Sequence, residues 1–260
     1  MNSSFDSAAE NYDTSFTFSV IGKMQRHFVY QHLNTFLKTA PPKTILEINC
    51  GTGEDALWLA NQNYLVTATD QSQKMIAVAQ KKEHGENLIF RKVAIEELSD
   101  QFPTNSVDCI FSNFGGLNCL PKTELATFFK NSSELLTKNG TLFLVIMPKN
   151  TLWETFYFLA KGNFRDAFRR TKSPIIADVD GEKIATYYYN PKEIVTLASP
   201  YFKLKQIHPI GFFVPPSYLE SFFKNEPKWI SRLHQLEVKI SNCSFLAKYA
   251  DHYTITFEKR

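Results

Sequence analysis

The residues with the clearest chemical potential lie in one short run, Glu47-Ile48-Asn49-Cys50-Gly51-Thr52-Gly53, with Ala56 three positions further on and Asp70 seventeen beyond Gly53. Glycine lets a backbone turn sharply and lets a ligand come close. The helix that follows offers N–H groups without intrahelical partners. This spacing fits a dinucleotide fingerprint, G-x-G-x-x-G/A followed by an acid about 20 residues on. A dinucleotide, however, places its own negative charge on the helix N-terminus. Here Glu54 and Asp55 already occupy the first turn and Glu47 precedes it. Three carboxylates suit a ligand bearing a sulfonium and an ammonium better than a pyrophosphate. Both ligand classes stay open at this point.

Other residues carry weaker signals, and each has a plainer reading. His208 falls in an apolar strand and His252 just before another, so structural roles are favoured for both. Tyr187, Tyr188 and Tyr189 end a strand, where aromatics are common, and at least one is a candidate for a substrate pocket. Asn113 divides evenly between a loop side chain with a catalytic role and a turn residue. Asp70 could cap the helix after it, but its place at a strand end inside a βαβ unit favours a ligand role. Cys50 reads as a small filler rather than a nucleophile. Arg165, Arg169 and Arg170 form a helical stripe that could meet an anionic substrate or a membrane surface. A solvated face is the commoner explanation.

The elements that must hold these residues alternate. Residues 1–40 read as helical and amphipathic and stop at Pro41-Pro42. Strands are expected at 44–48, 64–69, 88–93, 107–112 and 141–147, with helices from Asp55, from Ser72 and over 122–136, and a turn at Asn139-Gly140. That order predicts right-handed βαβ units and a parallel sheet covered on both faces. After Pro148 come an aromatic helical stretch over 151–170, a hairpin turning at Asp180-Gly181, a helix over 191–198, and strands at 202–210 and 253–257. Helical stretches at 218–223 and 229–240 separate those last two strands.

Bulk properties narrow the class. The chain has 260 residues, 43% of them hydrophobic, and a net charge of +3, so it lacks the basic footprint of a dedicated nucleic-acid binder. Its 23 phenylalanines imply an aromatic core or an aromatic pocket. Cys50, Cys109, Cys119 and Cys243 show neither zinc spacing nor a disulfide framework. No signal peptide and no transmembrane segment are expected, and the reading is a cytoplasmic protein with no bound metal.

Leu46 to Gly53 resembles the first motif, E/D-x-G-x-G-x-G, of the class I S-adenosylmethionine-dependent methyltransferases, with Asn49 where the family usually has glycine. Phe5-Asp-x-Ala-Ala-x-x-Tyr12-Asp13 resembles the opening segment of small-molecule members of the quinone- and biotin-pathway type. The resemblance implies an α/β, Rossmann-like, seven-stranded sheet of order 3-2-1-4-5-7-6. Its last strand is antiparallel, and a lid or insertion follows strand five. It implies S-adenosyl-L-methionine as cofactor, S-adenosyl-L-homocysteine as product and a small-molecule acceptor, with no nucleic acid. By position it implies that Glu47 faces the methionine ammonium and that Asn49, Gly51 and Gly53 lie along the methionine part. Asp70 would bind the ribose hydroxyls, and Gln71 and Met75 would flank the adenine. Ala94, Ile95 and Glu96 would lie at the adenine edge, and Tyr12 would close over the cofactor. Ser112, Asn113 and Phe114 would form the methyl-transfer loop, with Asn113 and Tyr188 as the candidate catalytic side chains. The expected partition is a helical segment over 1–40, a cofactor-binding core over 41–148, a substrate-shaping insertion over 149–230 and a C-terminal helix and strand over 231–260. An NAD(P)-dependent oxidoreductase and a non-catalytic S-adenosylmethionine-binding module are the competing readings.

Overall fold

A computed structural model of the chain describes residues 6–172, 174–179 and 182–260. Phe5 and the expected hairpin turn at Asp180-Gly181 lie outside the described residues. Five strands, β1 (Thr44–Ile48), β2 (Leu65–Asp70), β3 (Leu88–Lys92), β4 (Val107–Ser112) and β5 (Leu136–Ile146), precede a two-stranded hairpin, β6 (Ile175–Val179) and β7 (Glu182–Thr186). Two more strands, β8 (Phe202–Ile210) and β9 (His252–Lys259), complete the set. The main sheet runs β3-β2-β1-β4-β5-β9-β8. The first five strands are mutually parallel, and β9 is antiparallel to both of its neighbours. This is the seven-stranded Rossmann-like sheet implied above, its seventh strand inserted between the fifth and sixth. The hairpin β6–β7 forms a separate antiparallel sheet.

Strand alternation builds two cores. Ile45, Phe111, Phe143 and Val145 point to the face covered by α1 (Val20–Thr39), α2 (Glu54–Asn61) and α3 (Gln73–Gln80). Leu46, Ile110, Leu142 and Leu144 point to the other face, under the helices Lys122–Leu135 and Pro191–Ala198. Burial on both faces explains why these strands read as continuous apolar runs rather than alternating ones. The phenylalanines serve this core. Phe28, Phe111, Phe129, Phe143, Phe202 and Phe257 are fully buried, and Phe114 alone of the described phenylalanines lines the main cavity.

Several boundaries differ from expectation for local reasons. β5 starts at Leu136, directly from the preceding helix. Its pairing jumps from Val107↔Leu136 to Cys109↔Thr141, so the expected Asn139-Gly140 turn survives as a bulge, with Asn139 at φ +67°. The arginine stripe does not form. The helix Phe164–Ala167 carries Arg165 and stops there, and a separate 3-10 turn over Arg169–Thr171 carries the other two arginines. Arg170 turns inward onto Glu154 (3.0 Å) and Asp251 (3.0 Å), and Arg169 also pairs with Glu154 (2.7 Å).

Two carboxylates in the last third of the chain hold backbone N–H groups, one at the start of α1 and one just after β8. Both oxygens of Glu220 accept the N–H groups of Val20 (2.9 Å) and Ile21 (3.0 Å), two of the orphan donors at the start of α1. Buried Glu237, on the helix Pro227–Ile240, accepts four successive N–H groups from Gly211 to Val214.

His32 on α1 stacks on His208 of β8, ring centroids 4.0 Å apart and 13° from parallel. Burial first, then the neighbouring imidazole, push the His32 pKa down to about 3. The folded chain therefore binds this proton less readily than the unfolded one. The stability that follows is complete above the ordinary histidine value and is lost as pH falls from there toward 3. The unfolding free energy, and with it the melting temperature, should decline below pH about 6.5, the free energy by no more than ~1.4 kcal/mol per pH unit for this group and less because the ring is partly solvated. His32→Gln should flatten that decline, and an unchanged slope would place its origin elsewhere.

Candidate active site

A cavity of about 320 Å³ opens at the carboxyl ends of β1, β2, β4 and β5, where open α/β sheets bind ligands. Its floor is the glycine turn. Asn49 (φ +56°), Gly51 (+52°) and Gly53 (+78°) all adopt left-handed backbone, so Asn49 takes the conformation its position requires without a glycine. A Cβ on the neighbouring Gly116 would lie 2.3–2.6 Å from the Asn49 side chain. Gly116 is therefore the space that lets an asparagine stand at 49.

The two turn glycines do different work. A Cβ at Gly53 would strike the Phe90 ring at 2.5 and 2.7 Å, so Gly53 is required by core packing and does not line the cavity. A Cβ at Gly51 would meet nothing nearer than Tyr12 Cε1 at 4.0 Å. Gly51 borders open cavity with the Tyr12 ring opposite.

Asp70 ends β2 and sits at the cavity wall. Its Oδ2 accepts the Gly51 N–H (2.9 Å) and its Oδ1 the Ser72 N–H (2.8 Å), so it locks the strand end to the glycine turn. Helix α3 is capped by the Ser72 hydroxyl, not by Asp70. Burial raises the Asp70 pKa, against the pull of these two N–H groups. Gln71, Met75, Ile95 and Glu96 continue the wall. Ala94 lies outside it, and its N–H is taken by the Glu97 carboxylate at 3.0 Å.

Glu47 is buried behind the turn and does not line the cavity. Burial, then the nearby Asp55 charge, push its pKa well up, and its Oε2 has no partner. Ser112 is likewise fully buried, its hydroxyl unpartnered, outside the lining. Asn113 lines the cavity, but its amide is engaged. Nδ2 donates to Asp55 (3.0 Å), and Oδ1 accepts the Phe114 N–H (2.9 Å). Phe114 follows at φ +40°, a costly conformation for a bulky residue. Its ring is gripped by the Arg26 guanidinium (5.1 Å), Phe16 (5.4 Å) and His252 (5.4 Å).

Arg26 is the main residue that sequence reasoning missed. It reaches from α1 to form a buried ion pair with Asp55, which also accepts from Tyr30 (2.7 Å). The Asp55 charge shifts the Arg26 pKa upward despite burial. This corrects the electrostatic premise drawn from the sequence. Asp55 is neutralised, Glu54 lies 3.4 Å from Lys82, and Glu47 is held toward its neutral form. The turn is not a bare cluster of negative charge. Only spatial proximity, not spacing, could reveal Arg26, since it lies 29 positions from its partner.

The N-terminal segment closes one side. Asp13 accepts from Thr52 Oγ1 (2.6 Å) and pairs with Lys82 (2.7 Å). Tyr12 lines the cavity, its phenol pushed up to about 12, chiefly by burial. On the far side, above β4 and β5, the lining is Cys119, Leu120, Met147, Ala177, Ile184 and Thr186, with Tyr188. Among the described residues it holds no charged side chain. Tyr188 alone of the three tyrosines lines the cavity. Arg170 lies 4.8 Å over its ring, yet burial keeps its pKa above the ordinary value. Asn118, another residue without a sequence signal, clips this wall together. Fully buried, it accepts the Met147 N–H (2.9 Å) and donates to the carbonyls of Met147 (3.2 Å) and Tyr187 (2.5 Å). His208 and His252 lie outside the lining. Cys50 borders the turn with its thiol pKa raised by burial, as a filler would be.

Residues 45–140 match the model of the methyltransferase domain family. The chain is 35% identical over 155 residues to the malonyl-[acyl-carrier protein] O-methyltransferase of Bacillus cytotoxicus, covering 58% of this chain and 50% of that protein. It is 28% identical over 117 residues to the ubiquinone biosynthesis O-methyltransferase of Dechloromonas aromatica, covering 42% and 46%. The chain spans about half the length of the curated relatives it matches. Its fold resembles that of a Listeria monocytogenes protein assigned to the S-adenosylmethionine-dependent methyltransferases. The TM-score is 0.61 at 15% identity, over 90% of this chain and 99% of that one.

Gly53→Ala should lower stability by about 1–3 kcal/mol through overpacking against Phe90, whereas Gly51→Ala should cost about 1 kcal/mol of backbone strain. Chemical denaturation of the two variants checks the order. Equal losses would mean that Gly51 too is fixed by packing.

Proposed function

We propose that this chain, whose residues 45–140 match the methyltransferase domain family, is a class I S-adenosylmethionine-dependent methyltransferase that methylates a small-molecule acceptor held above β4 and β5. The observation that carries this reading is the open approach at Gly51, flanked by the Asp70 carboxylate and roofed by Tyr12. The residues fit the cofactor. Two buried polar atoms close to the turn, Glu47 Oε2 and Asn49 Nδ2, lack partners, and such atoms are rare unless a ligand or water completes them. Glu47 would serve the methionine ammonium, through water or a small shift of the turn. Arg26, the one cation of the lining, would face the methionine carboxylate. Asp70 keeps a lone pair on each oxygen for the ribose hydroxyls, and Gln71, Met75, Ile95 and Glu96 would enclose the adenine. Gly53 and Ala94 would act only through backbone shape, and Ser112 by packing beneath the loop.

When bound, S-adenosyl-L-methionine supplies an electrophilic methyl group on a sulfonium and leaves as S-adenosyl-L-homocysteine. The protein's part is then positioning and exclusion of water. Asn113, held at both ends of its amide, fixes the loop rather than moving a proton. Tyr188 stays a neutral phenol near pH 7 and orients the acceptor by a hydrogen bond. Among the described residues no histidine or uncommitted carboxylate lines the acceptor side, and this set suits a nucleophile that needs no strong base from the protein. Oxygen is the favoured nucleophile, because both O-methyltransferases matched above act there by name. In this reading 41–148 holds the cofactor and 149–230 shapes the acceptor pocket. The chain works in the cytoplasm, and among the described residues no helix is long and apolar enough to cross a membrane.

Calorimetric titration with S-adenosyl-L-homocysteine tests the cofactor half. Binding is expected, weakened by about 1–3 kcal/mol in Asp70→Ala through lost hydrogen bonds and abolished in Gly51→Val. Binding of NAD instead would overturn the reading. Incubation with methyl-labelled cofactor and fractionated metabolites tests the rest. Cofactor binding with no label transferred to any fraction would leave a binding module.

A further inference from the structure

The helical layer over residues 152–172 and 217–232 has a surface unlike the rest of the molecule. Phe156, Phe164, Phe168, Tyr218, Phe222 and Trp229 stand between 43 and 71% exposed there, against only Phe18 and Phe245 elsewhere among the described residues. Lys161, Arg165, Lys172, Lys224, Lys228 and Arg232 are exposed on the same segments, with Glu226 as their one exposed carboxylate. Their other acids are occupied. Glu154 is buried against Arg169 and Arg170, Asp166 is bound to Asn163, and Glu220 caps α1. The two segments hold eight cations against four acids, an excess larger than the +3 of the whole chain.

These elements adjoin. The helix Leu152–Ala160 packs on 217–223 through Tyr157 on Tyr218 (5.5 Å) and Trp153 on Phe223 (6.2 Å). Thr155 Oγ1 donates to the Ala167 carbonyl at 3.1 Å, joining it to the helix Phe164–Ala167. Through Arg170 on Tyr188 the layer reaches the acceptor wall of the cavity.

We infer that this layer docks on an anionic lipid bilayer, its exposed rings seated among the headgroups and its six exposed cations over the lipid phosphates. Aromatics interleaved with basic residues, with Glu226 the one exposed acid among them, suit a surface that is apolar beneath and negative at its face. A second copy of the chain would instead bring its own cations against these.

The test is co-sedimentation of the full chain with vesicles of phosphatidylcholine alone and of equal parts phosphatidylcholine and phosphatidylglycerol. The protein should pellet with the anionic vesicles, roughly tenfold or more above the neutral ones, and should be released by high salt. Phe164→Asp combined with Phe222→Asp should abolish pelleting, and Arg165→Glu with Lys228→Glu should weaken it severalfold. Both pairs should melt as wild type does, because the side chains are solvent-exposed. Absence of pelleting, equal pelleting with neutral vesicles, or unaltered pelleting of both variants overturns the proposal. So does a dimer in light scattering that Phe164→Asp with Phe222→Asp dissolves while vesicles leave the protein in solution.

Discussion

The buried pairing of Arg26 with Asp55 holds the site together. Asp55 stands in the first turn of α2, where the helix dipole favours a carboxylate, and it accepts from Arg26 and Tyr30 of α1 and from Asn113 after β4. Three elements that are far apart in sequence thus converge on one side chain. Removing one partner of such a pair leaves an uncompensated charge away from water, which costs far more than the pair contributes. The same contact keeps the guanidinium over Phe114 and so supports the strained loop at the cavity mouth. The local fold and the local charge balance are one device.

The division of the cavity follows from strand order. The ends of β1 and β2 bring the polar and charged lining, and the ends of β4 and β5 with the hairpin bring an apolar, uncharged lining. Asn118 joins the segment after the hairpin to the end of β5 by three hydrogen bonds of one amide, all to backbone groups of Met147 and Tyr187. Arg170, fixed between Glu154 and Asp251, backs Tyr188 in turn. The apolar wall is therefore shaped by polar scaffolding one layer behind it.

What was legible in the sequence is what local periodicity controls. The strands 107–112 and 202–210 and the helix 191–198 have the expected bounds, because apolar runs with clear breakers fix them. The glycine turn and Asp70 were legible because their conformation and spacing are local. What escaped depends on contacts across the chain. Glu47 and Ser112 sit at positions whose side chains point away from the cavity, a matter of strand register rather than of residue type. Arg26 looked like an ordinary helix cation, and Arg170 like part of a solvated stripe, until the partners that bury them were in place. Asn49 looked like a defect in the motif. Its tolerance depends on Gly116, sixty-seven positions away, and no reading of the turn alone could supply that.

The place of β9 between β5 and β8 bears on how the molecule comes into being on the ribosome. Until residues 252–259 emerge, β5 has an open edge and β8 has no partner in the main sheet. The start of α1, waiting for Glu220, is also uncapped until most of the chain has been made. Pairings this distant pay their loop-closure entropy before they gain contacts, and they form late. The first helix, which carries Arg26 to the cavity, is thus synthesised 200 residues ahead of the carboxylate that secures its start. A nascent chain halted before β9 would show an unprotected strand edge to its surroundings, so the interval between translating 146 and 252 is when this protein most needs a chaperone's cover.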